Sequence, residues 1–228
     1  TLHIDNRTVH ILETCLPNSN VIVWLLDYPD FFGNKGNPYT DEYGNPWINS
    51  AERFALFSRI AVEVAQNRAQ LEWKADIVHC NDWQSGLVPA LLSIEPTRPA
   101  TVFTIHNMAY QGVFSKETFQ QLNLPGELWN HHMIEFYGNM SFIKGGIACA
   151  DYITTVSPTY ALEIQTPEFG YGLDGLLQHR HNELKGIING IDLEQWSPEK
   201  DTRIPQPYSV GRLAKKLINK TALQKHFS

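Results

Sequence analysis

Between residues 76 and 188, short β-branched apolar stretches alternate with stretches whose apolar residues recur at helical spacing. A chain patterned this way closes around a mainly parallel sheet, because each strand–helix–strand unit returns the next strand in the same direction by a right-handed crossover. The pattern predicts strands at 76–80, 100–105, 152–156 and 184–188. Helices are predicted at 85–92, with a kink at Pro89, at 116–122, and at 141–150, where Gly145 and Gly146 sit in an apolar run. Ser157 followed by Pro158 is a strong helix start, since the serine caps and the proline tolerates the first position. Residues 175–178 read as a helical turn.

Upstream, 7–14 and 20–26 are rich in Val, Ile, Leu and Trp and are separated by Pro17-Asn18-Ser19, which predicts two strands joined by a turn. The composition of 31–47 changes to Gly, Asn, Pro and Tyr, marking a long irregular loop of the kind that carries function. A helix is predicted over 49–71, opened by an Asn49/Glu52 capping box, and another over 213–227. The fold class implied is α/β, a mainly parallel sheet with helices on both faces.

In such sheets ligands bind beyond the carboxyl ends of the strands. The residues there are His79 to Gln84, His106-Asn107, Ser157, and Asn189-Gly190 with Asp192. Neighbouring strands lie about 4.8 Å apart, so these groups converge on something the size of one hexose if the strands pair side by side. The predicted rim holds Asp, His, Asn and Ser but no Arg or Lys beside a strand end. It is equipped for a sugar and lacks the cations or glycine-rich helix start that a diphosphate wants.

A net charge of −6 argues against nucleic acid as a partner and is compatible with a neutral polysaccharide. No apolar run reaches the roughly 20 residues that cross a bilayer. Cys15, Cys80 and Cys149 form no CxxC pair and read as buried reduced thiols. His79, Cys80, Asp82 and His106 lack metal-ligand spacing. Glu163 and Glu168 read as solvated helix charges rather than a glycosidase pair. Trp83 and Trp196 read as core, and no GxGxxG follows a strand, which disfavours a dehydrogenase.

Five strings carry a resemblance. They are His79-Cys80-Asn81-Asp82-Trp83-Gln84-Ser85-Gly86, Thr104-Ile105-His106-Asn107-Met108-Ala109-Tyr110-Gln111-Gly112 and Thr155-Val156-Ser157-Pro158-Thr159-Tyr160-Ala161. Phe169-Gly170-Tyr171-Gly172-Leu173-Asp174-Gly175-Leu176-Leu177 follows, then Ile188-Asn189-Gly190-Ile191-Asp192 with Trp196-Ser197-Pro198. In this order and spacing, over roughly 30–198, the chain resembles the bacterial glycogen (starch) synthases. The resemblance implies a GT-B glycosyltransferase, two Rossmann-like domains across a cleft. Such an enzyme transfers glucose from ADP-glucose to the non-reducing end of an α-1,4-glucan with retention. No metal or cofactor is implied; ADP-glucose is a substrate and the glucan or malto-oligosaccharide the partner. The setting expected is the bacterial cytoplasm, with a plastid as the other candidate.

Residue by residue, the resemblance makes His106 and Asp82 catalytic. It places Asn107, Tyr39 (of Gly36-Asn37-Pro38-Tyr39) and Asn189 around the glucose and acceptor subsites. Asp82 could instead cap the helix near Ser85, and Asn189 could be only a turn. The family's Lys-x-Gly-Gly loop has no counterpart, because Lys144-Gly145-Gly146 lies where the family has a packing helix. The resemblance therefore implies 1–210 as the N-terminal catalytic domain without its extreme N-terminus, and 211–228 as the start of the C-terminal domain. The expected activity belongs to the longer protein; the alternative is a non-catalytic glucan-binding remnant. Because the family's first strand lies inside its sheet, the isolated chain is expected to be poorly soluble or to dimerise through that gap.

Overall fold

The computed structural model describes residues 1–227; Ser228, the last residue of the expected second-domain segment, lies outside them. The chain divides into two compact units, Thr1–Ile187 and Ile188–Ser228.

The first unit opens with β1 (Leu2–Ile4), β2 (Arg7–Cys15) and β3 (Ile22–Asp27), a three-stranded antiparallel sheet. Asn18 takes a positive φ of 58° in the β2–β3 turn, where asparagine tolerates the left-handed region. Cys15, at the end of β2, is exposed rather than buried, because the strand's last residues face solvent on both sides. A short α1 (Pro29–Phe32) leads into the irregular loop, and α2 (Ser50–Ala65) follows. The Asn49 side chain makes no capping bond. Helix α2 stops well before residue 71 because Asn67, Gln70 and Glu72 all adopt positive φ.

Then come β4 (Ile77–Asn81), α3 (Leu87–Ser93) and β5 (Ala100–Ile105). Pro89 falls in the first turn of α3, where its missing N–H breaks no helical bond, so it does not kink the helix. After β5, β6 (Val113–Phe114) and α4 (Lys116–Gln121) precede β7 (Glu135–Phe136) and β8 (Asn139–Ser141), and β6-β8-β7 form a small antiparallel sheet. The unit finishes with α5 (Phe142–Cys149), β9 (Tyr152–Thr155), α6 (Pro158–Glu163), α7 (Pro167–Gly170), α8 (Asp174–His179) and β10 (Leu184–Gly186). Ser157 caps α6 as predicted, its Oγ accepting from Tyr160 N at 2.9 Å.

The central sheet is parallel, in the order β10-β9-β5-β4, and gives the unit a Rossmann-like α/β fold. On one face Cys80, Phe103, Ile105 and Ile153 are buried with Leu87, Phe142 and Ile147 from α3 and α5. Close packing there depends on Gly146, since a Cβ would come within 2.4 Å of the Phe103 ring. Lys144-Gly145-Gly146 lies inside this packed helix. The Lys144 ammonium donates to the carbonyls of His131 and Glu135 and is a packing anchor. Arg180, just beyond α8, donates to the carbonyls of Ile147 and Ala150 (both 2.8 Å) and so satisfies the end of α5. The sheet's other face carries Ile77 and Tyr152, 61% and 62% exposed, and β4 is an edge strand.

The second unit contains the extended Asn189–Asp192 segment and α9 (Lys216–His226), preceded by a 3-10 stretch, Val210–Lys215. None of its described residues is buried. Trp196, expected in a core, is 58% exposed and lies under the Arg203 guanidinium.

Asp151 ties the starts of β5 and β9 together. Its carboxylate takes both Arg98 Nη atoms (2.7 and 2.8 Å) and accepts from Thr101 N at 2.7 Å and Thr101 Oγ1 at 3.0 Å. The Arg98 bonds, with those from Thr101, hold this carboxyl well below its ordinary value of 3.8. A depressed carboxyl adds stability above its unfolded-state pKa, and that contribution fades as pH falls toward the folded value. Asp151→Asn is expected to cost about 1–2 kcal/mol at pH 6, discounted because the side chain is a third exposed. Denaturant titrations should show a constant gap to the unmodified chain between pH 5 and 7 that closes below roughly pH 4.

Candidate functional site

Parallel pairing of β4 with β5 sets Asn81 against Thr104, so the two strands end side by side. The Asp82 N–H extends the ladder by one bond, donating to Thr104 O at 2.9 Å. Asp82 then turns sharply, with φ 56° and ψ 177°, a region that is essentially glycine's alone and costs on the order of 1–3 kcal/mol for other residues. Its carbonyl accepts from Ser85 N at 3.1 Å, and its carboxylate Oδ1 accepts from His106 N at 2.9 Å. The carboxylate therefore does not cap the helical turn that follows; it reaches across to the next strand's loop. That bond selects the strained conformation.

His106 sits exposed at the end of β5. Its Nε2 lies 3.0 Å from Asn81 Oδ1. The amide oxygen can only accept, so Nε2 donates to it, and Nδ1 is the ring nitrogen left for a ligand. Asn107 Oδ1 accepts from Ala109 N at 2.9 Å, and Tyr160 Oη receives Met108 N at 3.0 Å, which pins the loop to α6. Trp83, buried as expected, lies beneath; a Cβ at Gly112 (φ 58°) would come within 2.3 Å of its ring.

Tyr39 reaches this cluster through an aromatic neighbour. Its ring centroid lies 5.5 Å from that of Tyr110, whose N–H donates to Asn107 O at 3.3 Å. The loop that presents Tyr39 is ordered by Asn37 Oδ1, which accepts from Tyr39 N (2.8 Å) and Thr40 N (2.9 Å). Trp47 Nε1 donates to Asn37 O at 2.7 Å and completes the frame.

The structure thus brings Asp82, His106, Asn107 and Tyr39 into one contact network. Asn189 belongs to the second unit, where it is exposed in an extended segment just before a turn headed by Asp192, whose Oδ1 accepts from Glu194 N at 2.9 Å. His79, suggested as a rim residue, points to the open sheet face and is 2.6 Å from Thr104 Oγ1. A groove of about 410 Å³ adjoins the cluster, apolar along Pro38, Phe54 and Val78 and polar where Asn81 and Gln84 meet it. The expected lack of a cation near a strand end needs one correction: β10 stops at Gly186, so Lys185 is its penultimate residue. Among the described residues no group of three or more His, Cys, Asp or Glu could hold a metal ion. Cys80, beside the site, is an inert packing thiol, pushed up to about 12 by burial.

Residues 1–179 match the family model for the starch synthase catalytic domain. The chain belongs to that family. Tyr39, Asp82, His106 and Asn107 lie inside the matched segment and Asn189 outside it. Glycogen synthase 1 of Methylococcus capsulatus is 57% identical over 217 residues, covering 95% of this chain and 44% of that protein. Glycogen synthase of Cellvibrio japonicus is 55% identical over 223 residues, covering 98% of this chain and 46% of its own length. The chain therefore spans under half the length of these relatives. Among solved structures, the catalytic domain of starch synthase IV from Arabidopsis thaliana, bound to ADP and acarbose, superposes with a TM-score of 0.73. It is 30% identical, with 96% of this chain and 44% of that one covered. No helix among the described residues is long and apolar enough to cross a membrane.

Tyr110 and Tyr160 serve the site without having been singled out by the sequence, and Asn81, read there only as one of the rim residues 79–84, holds the His106 ring. Asn81 carried a usable signal, since it ends a strand two residues away from a helical turn; the two tyrosines act through tertiary contacts that no local pattern shows.

The strain at Asp82 makes a sharp prediction. Asp82→Ala keeps a Cβ in the glycine-only region and loses the bond to His106 N. Asp82→Gly loses the same bond and relieves the strain. Chemical denaturation should find the alanine variant less stable than the glycine variant by about 1–3 kcal/mol, opposite to the usual order of these residues.

Proposed function

We propose that this chain forms the sugar-gripping side of a retaining glucosyltransferase that extends an α-1,4-glucan from ADP-glucose. The observation that carries the reading is the Asn81–His106–Asp82 cluster, an exposed imidazole immobilised at the carboxyl rim of a starch synthase catalytic domain. Its kinship with glycogen synthases, and the ADP and acarbose held by the starch synthase IV neighbour, support the same substrate classes.

In this reading His106 and Asn107 bond the hydroxyls of the donor glucose. The bond to Asn81 aims the open Nδ1 of His106 outward, and the bond from its own amide to Asp82 holds the backbone. Orientation is the main contribution, because an imidazole already fixed in place needs no reorganisation as oxocarbenium-like charge develops at the anomeric carbon. The glycosyl–phosphate bond breaks, a bond to the acceptor 4-oxygen forms on the face that the diphosphate leaves, and the proton of the acceptor hydroxyl passes to the departing phosphate oxygen. The free carboxylate oxygen of Asp82 and the Tyr39 ring meet the acceptor or the sugar's flank, and Asn189, in the second unit, is assigned to substrate binding by the family resemblance alone. The Asn81–His106–Asp82 cluster itself offers no cation for the diphosphate, so that role falls to groups outside it. The N-terminal domain is assigned to 1–210 and the start of the next to 211–228, in a bacterial cytoplasmic enzyme that uses no metal or cofactor.

A second reading follows from the chain's coverage of less than half of its relatives: by itself it is a glucan-binding module without transfer activity. In a polypeptide of the relatives' length, His106→Ala is expected to lower turnover by about 100-fold or more while changing malto-oligosaccharide affinity less than about fivefold. This chain alone should incorporate no radiolabelled glucose from ADP-glucose above background. Equal losses in turnover and affinity, or transfer by this chain, would contradict the assignment.

A further inference from the structure

Arg53, in the first turn of α2, is 6% exposed, and neither its Nε nor its Nη1 has a hydrogen-bond partner. Its guanidinium carbon lies 4.7 Å from the Trp47 ring centroid, 5.4 Å from that of Phe32 and 5.7 Å from that of Phe54. No carboxylate pairs with it among the ion pairs of the described residues.

Aromatic faces stabilise the charge of a guanidinium but cannot accept its in-plane N–H bonds. Burying those donors without acceptors is costly, and a cation removed from water without a counterion costs more. Native structures resolve such a deficit with a partner in the plane of the fork, and the partner that matches its geometry is a planar or tetrahedral oxyanion. Arg53 also lies where a helix start offers partial positive charge, and Asn49 leaves that start without a side-chain cap. The Arg side chain leans toward the helix N-terminus, so its fork and the uncapped turn favour the same anion.

We infer that Arg53 is the floor of an oxyanion site, filled by a carboxylate or phosphate group, and that its occupant locks the loop carrying Tyr39. The coupling runs through Trp47, which stacks on the guanidinium, donates from its Nε1 to Asn37 O and accepts from Ser50 Oγ at its carbonyl. The occupant's chemistry is common to two sources: a carboxylate side chain or the diphosphate of a nucleotide. The inference stands on burial and missing partners and is independent of the transferase assignment.

The test is a set of thermal melts of this chain in sodium chloride, acetate, phosphate and ADP at matched ionic strength, with Arg53→Met and Arg53→Lys beside it. At least one oxyanion should raise the midpoint of the unmodified chain by about 3 °C or more over chloride. Arg53→Met should abolish that difference, and Arg53→Lys, which keeps the charge but not the fork, should retain less than half of it. A response to acetate and phosphate alike assigns a simple oxyanion such as a carboxylate. A response to ADP at concentrations where the others do nothing assigns the nucleotide. Identical midpoints of the unmodified chain in all four salts overturn the inference, and that arm needs no variant to fold.

Discussion

The bond from the His106 amide to the Asp82 carboxylate is the joint on which the rim depends. It spans two adjacent parallel strands, so it exists only because β4 and β5 pair in a register that ends them together. The backbone cost at Asp82 is met locally, by the ladder bond to Thr104 and by Ser85 N closing on the Asp82 carbonyl. Each such bond is worth about 1 kcal/mol net, so two or three of them hold a conformation that a single bond would not. The result is a histidine held at its backbone amide by Asp82 and at Nε2 by Asn81 while Nδ1 remains open, the arrangement that binding a neutral, hydroxyl-rich ligand in one orientation demands.

The parts of this fold that were legible in the sequence were those where one element carries its own signal. Strands β4, β5 and β9 are β-branched runs with a buried side, and Ser157-Pro158 announces α6 by capping chemistry alone. The small sheet of β6, β7 and β8 has strands of two or three residues, too short for any period to show. The Asn49 cap was predicted from spacing and is not made, because Ser50 and Trp47 close that turn instead, Ser50 Oγ donating to Trp47 O at 2.8 Å. At the site the residue types were readable and their partners were not. By local pattern Asp82 could be a cap before a helical turn, the resemblance made it catalytic, and its bond to His106 N shows only once the neighbouring strand is in place.

The same sheet is covered unevenly. Its packed face is dry and tightly built around Gly146 and Phe103, whereas Ile77 and Tyr152 on the other face, and every described residue from Ile188 onward, remain at least partly exposed. Rigidity is concentrated where β4, β5 and β9 deliver their carboxyl ends, since hydrogen-bonded core strands open last. The site therefore rests on the stable part of the molecule, and the exposed apolar surfaces lie away from the face that α3 and α5 enclose.

The central claim is that the ends of β4 and β5 grip one sugar. Amide chemical-shift mapping of this chain during titration with maltotetraose tests it most directly. The amides of Asp82, His106, Asn107 and Tyr110 should move together with a single saturation curve while those of Asp151 and Thr101, at the opposite end of the sheet, stay still. Shifts confined to other surfaces, or none at saturating sugar, would contradict the account.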